Sequence, residues 1–205
     1  MRKTRVTGLV LAFLLSILCV TGCSKETVYV PVTTNTIEIT EDGRVIGYMV
    51  EPFDKEYYDL SELDTMVREE IAEYNTSAEA GQSPIVVDKV AMAEDGSKNV
   101  VVALSFLNAA VYADYMKTEF FIGTVEEAIV AGYDLDKKLS KVKSGELLTG
   151  DLLQKNKGAK ILVLKNACSV RLPNEVQFIS GNVQIDANGF ADCTAGEGLK
   201  YIIIK

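Results

Sequence analysis

Apolar and polar positions along this chain follow two different periods, and the switches between them mark its elements. In "TIEITEDGRVIGYMV" Ile37 and Ile39 sit between polar neighbours, Asp42-Gly43 supplies a turn, and Val45 to Val50 return. That is the pattern of a β-hairpin, ended by Pro52. From Asp59 the period changes. Leu60, Leu63, Val67, Ile71, Tyr74 and Ala78 recur at steps of three and four, which is one apolar stripe of a helix. Asp59 is placed to cap it, Glu62 to complete a capping box, and Tyr58 to staple onto Leu63. Glu62, Glu69, Glu70 and Glu73 fall largely off the stripe.

A second hairpin follows, with Val86–Ala93 and Asn99–Phe106 around "EDGSK". "NAAVYADYMK" reads as a short helix with Val111, Tyr112 and Tyr115 facing inward. "TEFFIG" is a strand. "GTVEEAIVAGYD" is a helix that opens on a Thr124/Glu127 capping box and stops at Gly132. Residues 133–157 are polar and lysine-rich, with "LLTGDLLQ" as a turn of helix. Beyond Gly158 the chain is β-rich: "AKILVLKN", "EVQFIS", "NVQID", "GFADC" and "KYIIIK" alternate with turn clusters. The closing "YIIIK" is too apolar to dangle and reads as a buried strand. Helices fall between hairpins rather than alternating with single strands. The expected class is therefore α+β, with mostly antiparallel sheet or sheets, two to four helices and a β-rich C-terminal half. Residues 36–205 are expected to form one extracytoplasmic domain.

The first 22 residues follow neither period. Arg2, Lys3 and Arg5 precede an uncharged run from Val6 to Val20. A basic head and a short apolar core describe a secretion signal, since a membrane-spanning helix needs about 20 apolar residues. The stretch "VTGC" resembles the lipobox of bacterial lipoproteins. That resemblance implies that residues 1–22 are a signal peptide and that Cys23 carries a diacylglyceryl thioether as the new N-terminus. Two acyl chains anchor a protein stably where one holds it only marginally. Residues 23–35 then form a lipidated tether reaching at most about 40 Å. The implied address is the cell membrane, lipid-anchored, on its extracytoplasmic face.

Loss of residues 1–22 takes away three basic residues and no acidic ones, leaving 18 against 29 and a net charge of −11 on the mature chain. An acidic domain is repelled by an anionic leaflet and lacks the basic stripe that nucleic acid requires. The chain has no histidine, which removes Ser-His-Asp and Cys-His catalysis and every imidazole metal site. It has no tryptophan, which weakens a sugar-stacking reading. If Cys23 is lipidated, Cys168 and Cys193 remain. They are a candidate disulfide, closing a loop for about 3–4 kcal/mol in the chain-entropy model; two separate buried thiols are the alternative. Two thiols do not make a cysteine-rich zinc site.

Four further groups carry a chemical reading beside a plain one. "DANGFAD" offers Asp186, Asn188 and Asp192 as oxygens around Gly189, yet lacks the remaining ligands of a calcium loop. Asn-Gly as a hairpin turn is the simpler account. Asp134 and Asp136 of "DLDKK" suit a hard cation or a solvated loop. The α-helical Glu62, Glu69, Glu70 and Glu73 suit a cation or partner site, or a solvated face. Phe53, Tyr57 and Tyr58 suit a ligand-facing patch, or a staple holding the helix to the sheet.

The succession "GRVIGYMVEPFDKEYYDLSELDTMVREEIAEYN", "FFIGTVEEAIVAGYD" and a closing "YIIIK" resembles uncharacterised lipoproteins of clostridial gut bacteria. The resemblance implies a Gram-positive envelope and transfers no functional residue except Cys23. The expected function is a membrane-anchored, non-enzymatic interaction or accessory module. Its partners are the membrane, through the lipid, and an envelope protein or polymer; no cofactor or metal is assigned. A small-ligand or divalent-cation binder is the second expectation, and a carboxylate-based hydrolase the third.

Overall fold

The computed structural model describes residues 31–77, 83–136 and 138–205. The signal segment, Cys23, the first part of the tether and Ala78 lie outside the described residues. In the unit Pro31–Lys205 the first half runs β1 (Thr36–Ile39), β2 (Val45–Pro52), α1 (Leu60–Thr76), β3 (Ile85–Met92), β4 (Asn99–Phe106), α2 (Ala109–Met116). The second half runs β5 (Phe120–Thr124), α3 (Val125–Val130), β6 (Leu139–Lys141), α4 (Gly150–Lys155), β7 (Lys160–Leu164), β8 (Ser169–Arg171), β9 (Val176–Ser180), β10 (Gln184–Ile185), β11 (Ala191–Asp192) and β12 (Lys200–Ile204).

The strands form two sheets. One has the order β10-β11-β8-β1-β2-β4-β3, the other β5-β7-β12-β9-β6. Both hairpins form with the expected turns: Ile37 stands opposite Gly47, and Val102 opposite Val90. The fold is α+β and mostly antiparallel. The exception is β1, which pairs in parallel with β8 and so joins the first hairpin to the C-terminal half.

The five-stranded sheet is buried on both faces. On β7, Leu162 and Leu164 point one way and Ile161 and Val163 the other; on β12, Ile202 and Ile204 oppose Tyr201 and Ile203. Strands covered on both sides read as continuous apolar runs, which is why "YIII" shows no alternation. One core packs Leu162, Leu164, Ile202 and Ile204 against Ile37, Val45, Leu104 and Phe106 of the larger sheet. The second core sets Ile161, Val163 and Ile203 against Val125 and Ala128 of α3 and against Leu135, Leu139 and Leu148. Those three leucines belong to the segment whose charge pattern marks it as polar. Leu139 opens β6, which pairs with β9, and the bridge Ser140–Leu147 folds the segment back so that all three are buried.

The caps of α3 follow the sequence. Thr124 and Glu127 form the reciprocal capping box of α3. Gly132 ends it with φ +95°, while Gly132 N–H donates to Ile129 O and Tyr133 N–H to Ala128 O. That is a Schellman motif, with the left-handed position taken by glycine. Among the described residues no helix is long and apolar enough to cross a membrane.

Candidate functional site

The helix α1 is fastened at one end and free at the other. Its C-terminal half is tied down by side chains. The Asn75 amide brackets β3, donating to Ile85 O at 2.8 Å and accepting from Ile85 N–H at 3.2 Å. Tyr74 Oη donates to Asp114 at 2.7 Å, and Tyr115 Oη of α2 donates back to Glu70 at 2.8 Å. The two tyrosine rings meet edge to face with centroids 5.3 Å apart. Ile71 is the buried anchor of the helix. Burial and the neighbouring carboxylates push both tyrosines above their ordinary range, whereas the bond from Tyr74 holds Asp114 below its own.

Towards its N-terminus α1 departs from the sheet. Leu60, Leu63 and Val67 of the apolar stripe are only half-buried, and Met66 is 60% exposed. Asp59 caps the helix as expected, accepting from Ser61 N–H at 2.8 Å and Glu62 N–H at 3.0 Å. The chain between β2 and α1 is held by Phe53 N–H donating to Lys98 O. The wedge this leaves is an open groove of about 580 Å³. Its floor is Met49, Val100, Val102 and Leu104; Leu63, Met66 and Val67 overhang it; Tyr115 closes one end. At the other end stand Phe53, Tyr57 and Tyr58. Phe53 stacks on Tyr58 at 4.9 Å, and Tyr57 meets Tyr58 edge-on at 5.0 Å.

Four carboxylates rim the groove: Glu51, Asp59, Glu62 and Glu70. Asp59 is engaged by the cap and Glu70 by Tyr115. Glu62 departs from expectation. It receives the cap's bond through its own N–H, but its side chain makes no return bond among the described residues and lines the groove instead. Tyr58 packs on Phe53 and Tyr57 at the mouth of the groove that Leu63 also lines. The sequence singled out the aromatic trio and the helix acids separately; the fold brings Phe53, Tyr57, Tyr58, Glu62 and Glu70 to one place. The floor residues carried no signal, because Val100, Val102 and Leu104 read as ordinary core positions of a strand.

The other candidates are built differently. Asp186 Oδ1 accepts from Asn188 N–H at 2.8 Å and Phe190 N–H at 2.9 Å, so it closes the β10–β11 turn. Asp192 accepts from the Thr194 amide and hydroxyl. Asp134 pairs with Lys138 at 2.9 Å and accepts from Asp136 N–H, and the lysine holds its carboxyl below the usual range. Among the described residues no group of three His, Cys, Asp or Glu side chains is placed to hold a metal.

Cys168 and Cys193 lie opposite each other, one residue beyond the Ser169–Asp192 pair of β8 and β11, and Cys193 N–H donates to Cys168 O at 2.9 Å. Both are buried free thiols. A smaller cavity of about 90 Å³ between β1, β2 and α2 ends against Cys168, too small for a typical organic ligand. Buried beside the pair, Lys200 donates from Nζ to Lys165 O at 3.3 Å.

No family model matches this chain, no curated protein matches it, and no solved structure matches it.

Proposed function

We propose that this chain is a membrane-anchored extracytoplasmic lipoprotein serving as a non-enzymatic interaction module, and that the groove beneath α1 docks a segment of an envelope polypeptide. The observation carrying this reading is the groove. It gathers the partly exposed Met49, Leu63, Met66, Val67 and Val102 and three aromatic rings around one opening, over the buried Val100 and Leu104. Its volume falls in the range of binding sites, but it stays open along one side, where small-molecule sites bury most of their ligand. An open trough suits a segment that enters and leaves. Aromatic and methionine side chains are the residues that anchor such interfaces.

The anchor rests on Cys23 and the "VTGC" stretch. Cys23→Ser is expected to move the protein from the membrane to the soluble fraction; retention in the membrane fraction contradicts the anchor. For the docking reading, partners retained by the full chain are compared with those retained by Tyr57→Ala/Met66→Ala. Both side chains are exposed, so the variant keeps its fold. Val130→Ala, 84% exposed on α3 and away from the groove, is the control. The expected result is a polypeptide lost with the groove variant and kept by the control. An identical set from all three proteins contradicts the reading.

A further inference from the structure

We infer that the segment docked in the groove is basic as well as apolar, presenting lysine or arginine side chains between its apolar ones. This rests on the docking reading above and names the chemistry of the occupant. The lining holds four carboxylates and no lysine or arginine. The helix that overhangs it carries Glu62, Asp64, Glu69, Glu70 and Glu73 against Arg68 alone. On the helix Arg68 pairs with Asp64 at 2.9 Å, Lys55 pairs with Asp54 at 3.4 Å, and Lys98, whose carbonyl accepts from Phe53 N–H, is not part of the lining. The side chains of Glu51 and Glu62, by contrast, make no ion pair or hydrogen bond among the described residues, and both residues are exposed at the rim.

The arrangement of apolar and charged atoms matches one kind of side chain. Lysine and arginine lay their methylene stems on apolar surface and keep the charged head in water. Here the partly exposed Met49, Leu63, Val67 and Val102 offer that surface, and the exposed carboxylates of Glu51 and Glu62 line the same groove. Tyr57, 78% exposed, presents its ring at the mouth, and an aromatic face within reach of an ammonium or guanidinium adds attraction. An acidic segment meets the opposite conditions: it brings like charges to a lining that holds four carboxylates and no lysine or arginine. The groove runs along α1 from Asp59 to Glu70, about 16 Å at 1.5 Å per residue, which is the reach of about five extended residues.

The test uses the full chain in maltoside micelles and three capped peptides of about six residues. One is built of leucine, alanine and lysine; in the second, glutamine replaces lysine; in the third, glutamate does. Binding is followed by calorimetry, with micelles alone as the blank. The expected order is lysine over glutamine over glutamate. Glu51→Gln/Glu62→Gln is expected to weaken the lysine peptide about fivefold and leave the glutamine peptide unchanged, and added salt narrows the difference. Glu146→Gln/Asp151→Gln, outside the groove, is expected to change neither. If the glutamine peptide binds as tightly as the lysine one, the charge assignment is overturned while the docking groove stands. If no peptide binds, the docking reading itself falls. Equal losses from both double variants would mean diffuse attraction to an acidic protein, and binding of dodecyltrimethylammonium with no peptide binding would mean a different occupant; each overturns the proposal.

Discussion

Burial pushes the thiols of Cys168 and Cys193 up from an ordinary 9.0 to about 12, with Lys200 pulling the other way. Below pH 9 both folded and unfolded chains hold these protons. Above it the unfolded chain releases them and the folded chain keeps them, so stability falls as pH rises. The tyrosines Tyr48, Tyr112 and Tyr115, also raised by burial, join only above their ordinary 10.0. Between pH 9 and 10 the slope therefore belongs to the cysteines. Urea unfolding is expected to give a flat midpoint up to about pH 9 and a falling one above it, and Cys168→Ala/Cys193→Ala is expected to flatten that slope. An unchanged slope in the double variant contradicts thiol burial as the cause. The sequence offered the two cysteines as a candidate pair and left bonded and free forms open. What it could not show is that β8 and β11 set them directly opposite, because β8 is three residues long and its pairing is non-local. Glu62 teaches the same point. Its spacing from Asp59 fits a capping box, yet the side chain stays at the rim of the groove.

At the scale of elements, the segments with a strong period were legible, namely both hairpins and α1, as were the α3 cap from its motif and the closing strand from its unbroken apolar run. The short ones were not. β6 and β8 have three residues each, too few to show alternation, and Leu135, Leu139 and Leu148 are hidden among lysines and polar residues. The parallel β1–β8 pair leaves no local trace at all. β12 lies between β7 and β9, with Ile202 and Ile203 fully buried. Ile202→Ala is expected to cost about 2–5 kcal/mol in urea unfolding, and removal of residues 201–205 to abolish the cooperative transition. Ile129→Ala on the exposed side of α3 should stay within about 0.5 kcal/mol. A loss at Ile202 no larger than at Ile129 contradicts the central place of β12. Asp59→Ala, which removes the α1 cap, is expected to cost about 1 kcal/mol and to weaken peptide binding with it, since the cap holds the free end of the helix over the groove.

At the scale of the whole molecule, the wide opening beneath α1 takes its position from how that helix is fastened. Tyrosine–carboxylate bonds and Asn75 fix its C-terminal half, while among the described residues no side-chain hydrogen bond ties its first two turns to another element. The acidic balance of the sequence pointed away from nucleic acid and anionic surfaces; it did not show that four of the acids gather around an apolar trough. The most direct measurement uses the methionines. Met49 and Met66 line the groove, whereas Met92 on β3 and Met116 on α2 do not. With methionine methyl groups labelled in the full chain, titration of the lysine-bearing peptide is expected to shift the Met49 and Met66 signals and leave Met92 and Met116 in place. Equal shifts at all four, or none at saturation, would contradict a docking groove beneath α1.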